Sequence, residues 1–402
     1  MKKSYPFAVF AALAVTSPLH ATIGYFDHGY GVKSKGAGGT GVADPQDALA
    51  PATNPAGLAF VEDRFDFGLS FFQPDRSADL YGSEYDGNGK HNFYIPEIGF
   101  KTHLNENIHL GLAIYGNGGL NTDYQKPLYD QPPTFGNTTD AGVDLLQLFI
   151  APTLAYKINA NHAIGVTPIL AIQRFEANGL EDFGVESSGY DTSYGGGVRI
   201  GYTGKLTDWL TIGASYQSRI YASRFDDYST LFAEGGDFDI PSNYTVGFAL
   251  HPVEKLTFAF DVQRIHFSEV NSVGNDLSFE RFSKGLGADE GPGFGWRDVT
   301  AFKTGVSYEV TEALTLRLGY IYNTQPIREN QTYFNVLAPA VIQHHVTAGV
   351  TWKINKNWET SAFYTHGFKE TVKGSGNAFG SATDADLTME QNSFGLSVSR
   401  IF

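Results

Sequence analysis

His344 and His345 are the only adjacent histidines in the chain, and imidazoles serve as metal ligands and proton carriers. On a strand, strict alternation sends the two rings to opposite faces, so they cannot share one metal ion without a bulge. The glycine cluster Gly36-Ala37-Gly38-Gly39-Thr40-Gly41 could cradle a phosphate, but no Lys-Ser/Thr follows it and no strand–helix unit surrounds it. Ser, His and Asp are scattered without a Gly-x-Ser-x-Gly motif. With no Cys, thiolate and disulfide chemistry are unavailable. These residues supply no catalytic constellation, no metal site and no cofactor site. A formal charge of −15 also makes the chain a poor partner for nucleic acid, whose phosphates it would repel.

The elements that would position such residues are strands. Phe65, Phe67, Leu69 and Phe71 alternate with Asp66, Gly68 and Ser70. The same period of two recurs through 256–263, 314–322 and 342–353, and closes the chain in Phe394, Leu396, Val398, Arg400 and Phe402. Each run has one oily and one polar face. A soluble sandwich shows the same alternation, so the connections must discriminate. Long links near 73–92, 117–143, 177–193, 223–242, 267–295, 324–340 and 370–386 alternate with short turns such as Asn105-Glu106-Asn107 and Asn355–Asn357. Long outer loops and short periplasmic turns are the plan of an outer-membrane barrel. The pattern predicts an all-β protein, an antiparallel transmembrane β-barrel of about fourteen strands. Mean hydropathy is only −0.20, as expected where the apolar signal is periodic rather than blockwise. Trp209, Trp352 and Trp358 sit beside short turns, where an aromatic belt belongs.

Lys2 and Lys3, the apolar run Phe7 to Val15 and the small-residue site Leu19-His20-Ala21 predict a signal peptide over 1–21. Residues 22–62 lack alternation, and 63–402 carry it. A barrel of this size has a lumen wider than side chains fill, so residues 22–62 are expected inside it as a hatch, or plug. The Gly29-Tyr30-Gly31 start, the Gly36–Gly39 stretch with Gly38 and Gly39, and Asn54-Pro55-Ala56-Gly57 ahead of the first strand resemble the FadL/TodX family. Trp296-Arg297-Asp298 and Gln325-Pro326-Ile327 also look like that family.

The resemblance implies an outer-membrane channel for long-chain fatty acids or related hydrophobic compounds. Ligand would bind in the lumen, the hatch would shift, and ligand would leave sideways into the bilayer at a kinked third strand. Lateral exit keeps apolar surface out of water. Gly116-Asn117-Gly118-Gly119, after Ile108–Tyr115, is the candidate kink or an ordinary loop start. Arg174 and Arg297 occupy the family's cation positions, where a guanidinium grips a carboxylate bidentately. Arg297 shares parity with Val299 and Ala301, so it is expected to face inward. Arg174 shares parity with the oily Leu170 and Ile172, so it needs a bulge or a place above the membrane. Both could equally be rim residues paired with Glu176 and Asp298. The resemblance further implies a monomer, contact with outer-membrane lipid and lipopolysaccharide, and recognition of the last strand by the barrel-assembly machinery. A monoaromatic cargo satisfies an apolar lumen as well as a fatty acid does. An outer-membrane lipid-acting enzyme and an open porin are the rival readings.

Overall fold

The computed structural model describes residues 23–129 and 139–402. The expected leader, 1–21, lies outside the described residues. Among these residues the strands form one antiparallel sheet that closes on itself. The first seven barrel strands are β1 (Arg64–Leu80), β2 (Phe93–His103), β3 (Ile108–Asp123), β4 (Gly142–Lys157), β5 (His162–Asn178), β6 (Asp191–Thr207) and β7 (Leu210–Gln217). The second seven are β8 (Asn243–Val253), β9 (Leu256–Ile265), β10 (Val299–Glu309), β11 (Leu314–Asn323), β12 (His344–Asn355), β13 (Trp358–Val372) and β14 (Asp386–Ile401). Two short strands, Ser83–Asp86 and Tyr221–Ala222, only decorate β1 and β6. The barrel therefore has the fourteen strands that the alternation predicts. It closes through β1 and β14, from Arg64↔Ile401 to Asp79↔Asp386.

Short turns are built by a repeated local device. The Asn105 side chain accepts from the amides of Asn107 and Ile108, and Asn159 does the same for Asn161 and His162. Asn355 likewise accepts from Asn357. Each Asx turn satisfies donors that a tight reversal leaves unpaired.

The links after β1, β3, β5 and β13 are shorter than expected, whereas those after β7, β9 and β11 are longer. β1 runs on to Leu80 and β3 to Asp123. After Phe71 the outward residues of β1 become Gln73, Asp75 and Asp79. The ladder continues there while the outer face meets water, so the oily alternation that marks a strand in sequence is lost.

Burial is inverted relative to a soluble protein. Phe67, Leu318 and Leu396 are exposed on the outside, while Arg64, Asp66, Lys101 and Glu359 are buried within. Trp209, Trp352 and Trp358 stand exposed beside short turns. This is the pattern of a sheet that faces lipid outward. One ladder inside the band is interrupted. Pairing of β4 with β5 stops at Ile150↔Leu170 and resumes at Leu154↔Val166. Pro152 and Pro168 occupy the gap, and neither ring nitrogen can donate.

Residues 23–62 pack against the inward faces of these strands. The Asp261 carboxylate of β9 accepts from the amides of Gly41 and Val42 at 2.9 and 3.0 Å. Asp66 of β1 accepts from Ala48. Lys33 pairs with Glu359 of β13, which also pairs with Arg64. Lys35 pairs with Asp27 at 3.0 Å and Glu97 at 3.6 Å. Asn54 caps the short helix Pro55–Phe60 by accepting from Ala56, and its amide nitrogen donates to Val42 O, Tyr202 O and Thr203 Oγ1. Proline at the first helical position needs no donor there. The segment touches the wall so closely that a Cβ at Gly201 would lie 2.0 Å from Asn54 Oδ1.

Gly201→Val should therefore overpack this contact by about 1–3 kcal/mol. Barrel assembly, read as heat-modifiable electrophoretic mobility, should survive, while Lys33 and Lys35 become open to trypsin. An interior segment as resistant as the native one would contradict the assigned contact.

Candidate functional site

The wall has a lateral gap. β2 and β3 pair from His103↔His109 up to Ile98↔Ile114 and no further. β2 nevertheless stays paired with β1 as far as Phe72↔Phe93. β3 turns away by a bulge: Gly116 faces Leu148 of β4 but Gly118 faces Gln147, so Asn117 is set out of register. Gly116, Asn117, Gly118 and Gly119 thus lie inside β3 rather than at a loop start.

The edge that β2 vacates is taken by the interior segment. Phe26 bridges Gly118, Asp27 N donates to Asn117 O at 2.9 Å, and Gly119 N donates to Tyr25 O at 2.9 Å. Within a bilayer an unpaired backbone group is costly, so this short strand replaces the missing neighbour. A Cβ at Gly118 would lie 1.7 Å from Tyr25 O, so glycine is what permits the approach. Asn117 is fully buried. It accepts from Tyr30 Oη and donates to Gln147 Oε1; Gln147 donates to Gln173 and Gln173 to Phe238 O. This buried relay ties the bulge to β4, β5 and the outer loops.

Arg76 spans the top of the gap. Its guanidinium donates to the backbone and side-chain oxygens of Asn121 on β3 and to Lys90 O, and lies 5.9 Å from the Phe93 ring centroid. Inside the gap, Tyr25 packs on Phe267, Trp296 and Phe238 with ring centroids 5.0, 5.8 and 5.9 Å away. Trp296 donates to Asn335 Oδ1 at 2.6 Å, which fixes the indole. Between Arg76, Phe72, Leu120 and Ala338 only about 20 Å³ is open, room for one water. That space is too small for a solute larger than water.

The inward orientation expected for Arg297 is corrected, whereas Arg174 keeps the outward face that its parity predicts. Arg297 is exposed, and its amide donates to Pro326 O. Parity with Val299 fails because the ladder starts only at Val299. Arg174 stands on the outer face of β5 with its guanidinium 4.3 Å from the Tyr190 ring centroid. No bulge turns it, since Leu146, Arg174 and Thr192 are in regular register and Gln173 points inward. His344 and His345 do diverge: His345 is buried, while His344 faces Tyr320 Oη at 2.6 Å. No group of three or more metal-ligating side chains occurs among the described residues.

The glycine-rich residues of the interior segment serve packing. Gly38 N donates to Thr347 Oγ1. Gly39 has φ +70°, and a Cβ there would lie 1.8 Å from His28 O. Pro55 and Ala56 face Gly165, and Gly57 nests against Pro45. What sequence reasoning missed is the polar relay. Gln147 and Gln173 sit at inward positions of otherwise apolar strands, the one signal that marks them.

Asp47 lies between Asp66, Lys33 and Arg64. Burial, and then the Asp66 charge, push its carboxyl up to about 7. Asp27, although burial opposes it, is held well below the usual carboxylate range by Lys35 and His28.

The family described as outer membrane protein transport protein (OMPP1/FadL/TodX) matches residues 30–402. A curated "47 kDa outer membrane protein" of Pasteurella multocida is 31% identical over 157 residues, 39% of this chain and 31% of that protein, so the match spans about a third of that relative. Among solved structures, the toluene transporter TodX of Pseudomonas putida aligns with TM-score 0.71 at 20% identity over 93% of this chain and 99% of that one. A FadL homologue of Pseudomonas aeruginosa aligns with TM-score 0.70 at 15% identity, covering 94% and 100%. The toluene transporter TbuX of Ralstonia pickettii gives 0.65 at 18%, covering 93% and 99%.

Two outcomes follow from this geometry. Asn117→Ala leaves Gln147 without its donor, a loss of about 1–3 kcal/mol. Hydrogen exchange at Tyr25–Asp27 should accelerate while β10–β12 stay protected; unchanged exchange would exclude the relay as the anchor. For Asp47, the folded value lies above the unfolded one, so its contribution to seating is full below 3.8 and lost as pH rises through about 7. Protection of residues 23–62 should fall between pH 5 and pH 8, and Asp47→Asn should abolish that fall. The same fall in the variant would assign it to another group.

Proposed function

The chain belongs to the OMPP1/FadL/TodX family of outer membrane transport proteins, and on that premise we propose that it carries small hydrophobic molecules passively through the gap between β2 and β3. One observation carries this reading. The free edge of β3 at Asn117–Gly119 is held by the interior segment's own backbone rather than by β2. Residues 23–62 then act as a hatch, with 63–402 as the barrel. When Tyr25–Asp27 let go, the aromatic cluster around Trp296 opens toward lipid at the same point. An apolar solute arriving there keeps its surface out of water, at roughly 25 cal/mol per Å². No energy source is needed while the solute is consumed inside the cell.

The cargo that fits best is uncharged. The cluster is aromatic, with the Trp296 donor already bonded. Arg174 and Arg297, the two cations expected to hold a carboxylate, lie outside it. This favours a monoaromatic or other neutral hydrocarbon over a long-chain fatty acid. The chain is further proposed to work as a monomer without cofactor or catalytic chemistry, with lipopolysaccharide around its outer half and its last strand read by the assembly machinery.

Cells lacking the protein should grow more slowly on toluene than complemented cells, with palmitate-supported growth little changed. In planar bilayers the purified protein should show little steady conductance, and Gly118→Val, which expels Tyr25, should show intermittent conductance. A large permanent conductance of the native protein would point to an open porin. Palmitate dependence without toluene dependence would reverse the cargo assignment.

A further inference from the structure

At the outer end of the barrel the link between β11 and β12, residues 324–343, folds inward, and 331–339 are buried. At its centre is the one-turn helix Thr332–Asn335. Neighbouring outer elements hold this helix in place. Thr122 Oγ1 of β3 donates to Leu337 O at 2.9 Å, and Tyr124 Oη, just beyond β3, donates to Val336 O. Thr332 Oγ1 accepts from Ala385 N and Asn377 Nδ2 of the β13–β14 link, at 3.1 and 3.3 Å. Asn335 faces inward instead. Its Nδ2 donates to Gln331 O and Phe294 O at 2.6 and 2.7 Å, so its Oδ1 is left aimed at the Trp296 indole N–H, 2.6 Å away. The Trp296 backbone is held separately, by Val273 O. The indole therefore takes its position from one side chain of the helix. Its ring lies 5.8 Å from that of Tyr25 and stands edge-on to Phe267 at 5.2 Å. The interior segment's main chain rests on the same rings: a Cβ at Gly24 would lie 2.5 Å from the Phe267 ring and 3.1 Å from that of Trp296.

We propose that Asn335 is a positioning residue for the lateral gate, coupling the β11–β12 link to the Tyr25–Asp27 strand through the Trp296 indole. The proposal rests on the reading of that strand as the gate. A buried indole N–H that loses its acceptor is costly, so the ring stays against Tyr25 only while Asn335 is seated. A solute entering from outside displaces the helix first. The indole then loses its acceptor, and Tyr25 loses the ring that packs against it. Gly119 N, which donates to Tyr25 O, is the bond released next. The outer barrier and the lateral one thus yield in order, the second favoured by the first. Such coupling is reciprocal, so freeing Tyr25 must also loosen the helix.

Amide hydrogen exchange on the full-length protein in mild detergent, with no solute present, tests this coupling. Whether the gap conducts cargo is decided separately, by growth and conductance. Asn335→Ala should speed exchange of the Asp27 and Gly119 amides about tenfold, within the range expected when a buried donor is left unpaired. Thr332→Val breaks the bond to Ala385 on the other side of the helix. It should loosen the helix and leave Asp27 and Gly119 exchanging as in the native protein. Tyr25→Ala should in turn speed exchange of the Leu337 and Ala338 amides, which close the turn after the helix, by a similar factor. Native exchange at Asp27 and Gly119 in Asn335→Ala, or equal acceleration there in Thr332→Val, would overturn the proposal. Native exchange at Leu337 and Ala338 in Tyr25→Ala would overturn it equally, and that arm decides the matter if Asn335→Ala fails to assemble.

Discussion

Hydrocarbon offers no hydrogen bonds, so every backbone donor and acceptor at that depth must find a partner in the protein. A closed antiparallel ladder answers this over almost the whole circumference. Where β3 bends away from β2 the rule is met differently, by a second backbone brought from inside. Tyr25, Phe26 and Asp27 serve as a replacement strand. The same constraint that keeps the cylinder shut is met least firmly here, because the substitute strand is held by a few bonds and an adjoining stack of rings. Above it, Arg76 links β1 to β3 and sets the upper limit of the opening.

The interior segment is held by polar contacts as well as by the apolar packing of Tyr25, Phe26, Leu49 and Leu58. Glu359, Asp66, Glu97 and Asp261 reach inward from four strands to meet its lysines and amides. Buried ion pairs contribute little net stability, yet removing one partner leaves an uncompensated charge and costs about 3–5 kcal/mol. Such contacts fix the position of the segment sharply, beyond what its apolar packing alone specifies. Glycines complete the fit, since Gly118 and Gly201 admit main chain where no side chain could stand.

Barrel class and strand number were legible in the chain because each is a matter of period or of turn chemistry. Phe65 to Phe71 and Leu314 to Tyr322 alternate as lipid demands, and Asn105, Asn159 and Asn355 announce their turns. Strand ends were less legible. Gln73 and Asp75 continue β1 in water, where the oily face is no longer required. Parity assigns a face only inside a regular ladder, which excludes Arg297, whereas the outward parity of Arg174 holds within its ladder. The Asn117–Gln147–Gln173 relay depends on contacts between residues 26 to 65 apart in the chain, which no local pattern encodes.

The seat of the first segment is assembled from parts made late. Lys33 meets Glu359 across 326 residues, Gly38 meets Thr347 across 309 and Gly41 meets Asp261 across 220. A chain synthesised from its amino end produces the occupant long before its socket exists. Such distant closure is entropically slow, so docking of residues 23–62 is expected to follow pairing of the strands that hold them. Until the strands carrying Asp261, Thr347 and Glu359 have paired, Lys33, Gly38 and Gly41 have no seat to occupy.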